Sequence, residues 1–229
     1  MTSPRVSPAY IDQILPYGPS KWPAVTTAVT GMLGSGKSTV MQMLSDMGLP
    51  TIDCDTLSRQ TTGPGGKALT MIIEHFGSGI LTEDGQLDRQ QMLDLILKKK
   101  DAQIQLEKII HPMVLKELDH HLQKIRTKGE DVVVVEVPLL FEAGWDNLFS
   151  VTCMVSAPER QCISRIMRRN NVDEETARRW LTLQMHRDTK EQLADFIIKN
   201  DGSLDRLQDQ VMDFYRFIEQ KSARRSAHK

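Results

Sequence analysis

The chain has 229 residues, 40% of them hydrophobic and 26% charged, the balance of a globular protein with room for one α/β domain and a modest subdomain. Lys plus Arg number 29 against 30 Asp plus Glu, and a net charge of −1 argues against a protein whose main task is gripping a nucleic-acid backbone. Three cysteines without a C-x-x-C pair speak against a disulfide framework or structural zinc, and no apolar run approaches the roughly 20 residues of a membrane span.

Residues 1–23 hold Pro4, Pro8, Pro16, Pro19 and Pro23 with no sustained hydrophobic period, and read as an extended or flexible appendage. Ile11, Ile14 and Leu15 suit one short docking turn. The segment lacks the apolar core of a signal peptide, so the expected location is cytoplasmic.

From residue 24 to 220 short β-branched runs alternate with helical patterns. Residues 25–30 read as a strand running into a glycine-rich loop. Residues 36–47 are helical, with Val40, Met43, Leu44 and Met47 on one face and Gly48 as the stop. Residues 49–52 form a second short strand. Residues 132–137 are apolar apart from Glu136, as in a central parallel strand buried on both faces. Residues 151–156 and 196–199 are two further strands, and 203–220 a closing helix. This alternation predicts a parallel five-stranded sheet with crossover helices.

Two regions break the alternation. Residues 57–128 are mostly helical, with a turn at Gly63 to Gly66 and with Asp88 and Gln91 as a capping pair that opens a helix through Leu97. Residues 158–194 are helical and rich in arginine. Both read as insertions at the mouth of the sheet. Residues 221–229 are polar and basic, a solvated tail.

Gly31-Met32-Leu33-Gly34-Ser35-Gly36-Lys37-Ser38 fits G-x-x-x-x-G-K-[ST] and lies between a predicted strand and helix, the context this motif requires. Glycines let successive backbone N–H groups approach phosphate oxygens, and the following helix turns its N-terminus to the anion. Lys37 can reach the β- and γ-phosphates, and the Ser38 hydroxyl can ligate Mg²⁺. A nucleotide-binding site is expected, which leaves a small-molecule kinase, a GTPase switch and an ATPase motor. No N-K-x-D guanine-reading motif is present.

Asp53 and Asp55 directly follow the second strand. Ligands of open parallel sheets bind beyond the carboxyl ends of the strands, so both carboxylates face the phosphate loop. There one can accept a hydroxyl proton; equally, both can serve as turn or helix-cap residues.

With these pieces in view the chain resembles dephospho-CoA kinases from about Val25 to Gln220. The matching residues are Thr30-Gly31 with Gly34-Ser35-Gly36-Lys37-Ser38-Thr39; Ile52-Asp53-Cys54-Asp55 with Arg59; His75-Phe76-Gly77; Leu87-Asp88-Arg89; His111-Pro112; Val137-Pro138-Leu139-Leu140-Phe141-Glu142; and Asn200-Asp201-Gly202. The resemblance implies a P-loop kinase core with a helical substrate-binding insertion and a helical lid. It implies transfer of the ATP γ-phosphoryl to the ribose 3′-hydroxyl of dephospho-CoA, with Mg²⁺. A monomer or weak homo-oligomer is expected, with no nucleic-acid or membrane partner. By position Asp55 matches the general base. Arg59, Leu139, Leu140 and Phe141 fall where the acceptor is expected, Asn200 and Gly202 near the adenine, and Arg169 at the lid arginine that contacts phosphate.

Phosphoryl transfer needs cations around the transferred group. Arg165 and Arg169, four apart, share one helical face and are expected to close over it, whereas Arg178 and Arg179 read as a solvated face. Pro112 pushes the backbone of His111 out of the α region, which predicts a helix break near the substrate cleft; a histidine satisfying a buried polar group is the other reading. Two residues depart from the family pattern. Met32 stands where a second glycine is usual, costly if that position needs a positive φ, and Glu136 stands where aspartate is usual.

Overall fold

The computed structural model describes residues 8–15 and 18–226. Strands β1 (Val25–Gly31), β2 (Thr51–Asp53), β3 (Val132–Glu136), β4 (Val151–Ser156) and β5 (Phe196–Lys199) form one parallel sheet in the order β2-β3-β1-β4-β5. The helices in chain order are α1 (Pro8–Ile14), α2 (Lys37–Asp46), α3 (Cys54–Thr61), α4 (Lys67–Phe76), α5 (Arg89–Lys98), α6 (Lys100–Thr127), α7 (Leu140–Ala143), α8 (Glu159–Asn170), α9 (Glu174–Leu181), α10 (Arg187–Leu193) and α11 (Leu204–Ser226). No helix among the described residues is long and apolar enough to cross a membrane.

Successive side chains of a strand point to opposite faces, and both faces are covered. Val25, Val29 and Val134 pack under α2 and α11, whose Val40, Leu44, Leu207, Val211, Phe214 and Ile218 recur at helical spacing. Ala28, Val133 and Val135 pack on the other side with Leu115, Leu118 and Leu122 of α6 and with Leu140 and Phe141 of α7. Each such large side chain, fully buried, contributes roughly 1.5–3 kcal/mol of transfer free energy.

The chain leaves β1 towards β2 on one side and leaves β3 towards β4 on the other. That reversal opens a crevice at the carboxyl ends of β1 and β3, the usual ligand position of such sheets. Asp53 and Glu136 are register partners there, and Gly31 lies opposite Val155.

Three sequence expectations change. The appendage expected over residues 1–23 is docked where it is described: Ile11, Leu15 and Trp22 join the core against α6, with the short docking turn expected of Ile11, Ile14 and Leu15 in place. Trp22 is 1% exposed, its Nε1 donates to Asp119 Oδ1 at 2.7 Å, and Arg126 Nη1 donates to its carbonyl oxygen at 2.8 Å. Three apolar side chains at docking distance outweigh the proline count; residues 1–7 and 16–17 lie outside the described part. The break expected at His111-Pro112 does not occur, because α6 runs through both. Proline removes one intrahelical hydrogen bond, and the buried Val114, Leu115, Leu118 and Leu122 hold the helix in place regardless. The basic tail is helical to Ser226, and Arg225 donates to Ala24 O and, at 3.1 Å, to Ser150 Oγ. Residues 227–229 lie outside the described part. The cap at Asp88 forms as expected, its Oδ1 accepting from Gln91 N at 2.9 Å.

Candidate active site

The phosphate loop joins the end of β1 to the start of α2. Gly34 (φ +78°) and Gly36 (φ +98°) take the left-handed backbone that residues with a Cβ avoid. A Cβ on Gly34 would lie 2.7 Å from the carbonyl oxygen of Cys162 in α8, and one on Gly36 would strike the Asn200 side-chain amide. Two side chains clasp the loop. Asn200 Nδ2 donates to Ser35 O at 2.8 Å, and Arg165 Nη1 donates to Gly34 O at 3.1 Å and Ser35 O at 3.2 Å. In a trans peptide C=O and N–H point in opposite directions, so fixing Ser35 O also fixes the direction of Gly36 N–H.

Lys37 is 8% exposed, and its ammonium donates to Gly31 O at 3.2 Å and Met32 O at 3.3 Å. Burial lowers its pKa, with the Glu136 carboxylate opposing. Met32 is nearly buried with Met154, Ala157, Ile163 and Trp180. Asn171 is the one non-glycine with positive φ among the described residues, so methionine carries no backbone strain here and instead anchors α8 and α9 to the loop.

The two carboxylates after β2 divide. Asp53 caps α3, its Oδ1 accepting from Asp55 N at 2.8 Å and its Oδ2 from Thr56 Oγ1 at 2.7 Å. Asp55, in the first turn, faces the cleft. Desolvation there and the neighbouring Asp53 raise its pKa, against the pull of Lys37, Arg59 and Arg89. Glu136, 8% exposed at the end of β3, is pushed up to about 7 by burial, Lys37 opposing.

Two cavities meet at this point. One, of about 980 Å³, is polar: Lys37, Ser38, Thr39, Glu136, Arg165 and Arg169 line it, as do Asn200, Gly202 and Leu204. The other, of about 390 Å³, is mostly apolar and lies between α5, α6, α7 and α9, lined by Leu93, Ile96, Leu106, Ile110, His111 and Trp145 among others. Leu33, Asp55, Pro138 and Gln184 line both, and of these four Asp55 alone is ionisable. His111 sits edge-on to Trp145, centroids 5.1 Å apart, and burial pushes its imidazole down to about 4, so it is neutral at physiological pH.

The family model described as dephospho-CoA kinase matches residues 25–206. The chain belongs to the dephospho-CoA kinase family. A dephospho-CoA kinase of Carboxydothermus hydrogenoformans is 36% identical over 184 residues, which is 80% of this chain and 89% of that protein. One of Listeria monocytogenes serotype 4b is 36% identical over 198 residues, 86% of this chain and 98% of its own. Among solved structures, a protein of Thermus thermophilus superposes with a TM-score of 0.71 at 27% identity, covering 83% of this chain and 95% of that one. The dephospho-CoA kinase of Campylobacter jejuni superposes with a TM-score of 0.61 at 25% identity, covering 85% and 97%.

Most residues singled out from the dephospho-CoA kinase resemblance come together. Gly34, Gly36, Lys37, Ser38, Thr39, Asp55, Arg59, Arg165, Arg169, Asn200 and Gly202 line the polar cavity; His111 and Leu139 line the apolar one. Arg165 spends its guanidinium on loop carbonyls, whereas Arg169 is exposed at the rim, its Nε donating to Asn170 Oδ1 at 3.1 Å. Ser35 contributes backbone, its hydroxyl being buried. Leu140 and Phe141, expected at the substrate, are fully buried in the core and line neither cavity, because the first turn of α7 packs them inward. Arg178 is on a solvated face, paired with Glu159 at 3.0 Å and Glu174 at 2.6 Å.

Two cleft residues escaped the sequence reading. Arg89 lines the apolar cavity beside Asp55, its Nη2 donating to Thr62 Oγ1 at 2.8 Å; its place in Leu87-Asp88-Arg89 was the available signal. Gln184 accepts from Leu33 N at 2.9 Å through its Oε1, and an isolated glutamine between two helices carries no signal at all.

Proposed function

We propose that this chain is a cytoplasmic dephospho-CoA kinase that transfers the ATP γ-phosphoryl to the ribose 3′-hydroxyl of dephospho-CoA, giving coenzyme A and ADP. The observation that carries the reading is Asp55 at the junction of the polar and apolar cavities. The polar cavity takes the nucleotide. Gly36 N–H and Lys37 hold its phosphates, and Asn200, Gly202 and Leu204 receive the adenine end. The apolar cavity takes the acceptor, with Leu139 and His111 in its walls and Arg59 and Arg89 near Asp55 to meet the acceptor's own phosphates.

In the transfer the 3′-oxygen bonds to the γ-phosphorus as the bond to the β-γ bridging oxygen breaks, and the hydroxyl proton passes to the Asp55 carboxylate. A raised pKa makes that carboxylate a better base than an exposed aspartate. Lys37 and Arg169 stabilise charge on the transferring oxygens, and Arg165 keeps the loop in shape. The donor set suits magnesium: the Ser38 hydroxyl and the Glu136 carboxylate are hard oxygen groups on one cavity, Ser38 to hold the ion and Glu136 to orient it through water. Magnesium bound there would neutralise charge on the β- and γ-phosphate oxygens.

The test is product formation by the purified chain with ATP and Mg²⁺, offered dephospho-CoA beside a panel of nucleoside monophosphates and sugar acids. Turnover confined to dephospho-CoA is expected. Tight ATP binding without that turnover overturns the reading in favour of a non-catalytic nucleotide-binding protein, and preference for another acceptor overturns it in favour of a different P-loop kinase.

A further inference from the structure

A buried ion pair stands just behind the junction of the two cavities. Lys190 of α10 is fully buried and Glu142 of α7 is 3% exposed, with Nζ and Oε1 2.8 Å apart. The same Oε1 accepts from Met185 N at 2.9 Å. Lys190 Nζ also donates to Pro138 O at 3.2 Å, an oxygen that accepts from Thr30 Oγ1 at 3.2 Å as well. Neither Glu142 nor Lys190 lines either cavity, yet the network ends in the cavity walls. Pro138 lines both cavities. Met185 directly follows Gln184, which also lines both and whose Oε1 holds the phosphate-loop amide of Leu33.

Stability alone does not account for this pair. Desolvating two charges can cost more than their attraction returns, and apolar replacements of similar volume are often as stable. Glu142 Oε2 is buried with no hydrogen-bond partner among the described residues, a further cost that an apolar side chain would avoid. What the pair supplies is direction: one carboxylate oxygen and one ammonium fix a carbonyl and an amide that belong to different segments.

We infer that the Glu142–Lys190 pair positions the wall between the two cavities, pinning Pro138 and the Gln184-Met185 segment so that donor and acceptor meet in one geometry. The inference rests on the proposed kinase activity. Both are positioning residues, since they reach the reaction through Pro138 and Gln184. The hydrogen bonds that hold Lys37 and Asn200 do not run through them, and although the Lys190 charge acts on Lys37, removing both charges together leaves the net charge there unchanged.

Glu142→Leu combined with Lys190→Met removes both charges together and leaves no lone buried ion. Glu142→Gln combined with Lys190→Met keeps an acceptor for Met185 N–H. Four quantities are read on each: thermal midpoint, Kd for ATP, amide hydrogen exchange at Met185 and Leu33, and kcat/KM for dephospho-CoA. The Leu/Met variant is expected to fold, to bind ATP within about twofold of wild type, to exchange at Met185 and Leu33 at least tenfold faster, and to lose at least tenfold in kcat/KM. The Gln/Met variant is expected to recover protection at Met185 and part of kcat/KM. Unchanged kcat/KM with faster exchange overturns the inference, as does lost kcat/KM with unchanged exchange. Failure of both variants to fold also overturns it, by making the pair a requirement of the fold. The exchange readings need no turnover, so a wild-type chain inactive on dephospho-CoA sinks the proposed function and is told apart from a failure of the pin.

Discussion

The Asn200 side-chain amide donates to the Ser35 carbonyl oxygen at 2.8 Å, joining the end of the last strand to the phosphate loop across 165 positions of sequence. Asn200 is itself held, its backbone N donating to Ser156 O at 2.7 Å at the end of β4. Asn200→Ala removes the clasp and leaves a buried carbonyl partly satisfied by Arg165, a loss of about 1–3 kcal/mol in stability. Asn200→Asp sets a carboxylate against that carbonyl oxygen and near the phosphates. Calorimetric titration should show ATP affinity falling in the order Asn, Ala, Asp, and an aspartate variant that binds like wild type would deny the amide donor its role.

Asp55→Asn keeps the size of the side chain and abolishes its basicity. The variant should keep ATP affinity within a few-fold and lose about 10²-fold or more in kcat, as expected for a general base. Steady-state kinetics with dephospho-CoA decide the matter, and near-wild-type kcat would move the base elsewhere in the cleft.

Trp22→Ala tests the docked N-terminal segment. The side chain is 1% exposed and hydrogen-bonded to Asp119, and deleting a buried tryptophan typically costs about 3–5 kcal/mol. Urea unfolding should show a midpoint well below wild type. An unchanged midpoint would mean that α1 and the turn after it add nothing to the domain.

His111 should make stability depend on acidity. Its folded pKa, about 4, lies below the ordinary 6.5, so on acidification the unfolded chain takes up a proton that the folded chain refuses. The stability in question is fully present above pH 6.5 and is lost as pH falls through 6.5 towards 4. The shift corresponds to at most about 3 kcal/mol. His111→Gln should flatten that loss, seen as a smaller difference between urea midpoints at pH 7.5 and pH 4.5. An equal difference in both proteins would assign the acid sensitivity to other groups.

Much of the fold was legible because its signals are short-range. The β-branched runs at Val25, Val132 and Val151 and the glycine spacing before Lys37 specify strand, loop and helix within a few residues of themselves. The cap at Asp88 and the stop at Gly48 (φ +90°) are equally local. Where a local rule failed, a distant contact prevailed. Pro112 did not break α6 because the apolar face C-terminal to it packs on the sheet, and Trp22, in a stretch read as an extended appendage, is buried because it finds α6.

The same division holds at the site. Local spacing was enough to put a glycine loop of the phosphate-binding type and two carboxylates at the carboxyl ends of two strands, since Gly34, Gly36, Lys37, Asp53 and Asp55 lie at fixed offsets from those ends; whether the carboxylates cap a helix or face the loop stayed open. It took the folded chain to show that Asp53 caps a helix while Asp55 lines both cavities, that Arg165 and Asn200 clasp the loop, that Met32 packs on α8 and α9 without strain, and that Glu142 finds Lys190. The physical reason is range. Backbone preference is set by neighbours in the chain, but the partner of a buried polar group is whichever side chain the fold brings within hydrogen-bonding distance, and for Arg165 and Asn200 that partner lies more than a hundred residues away.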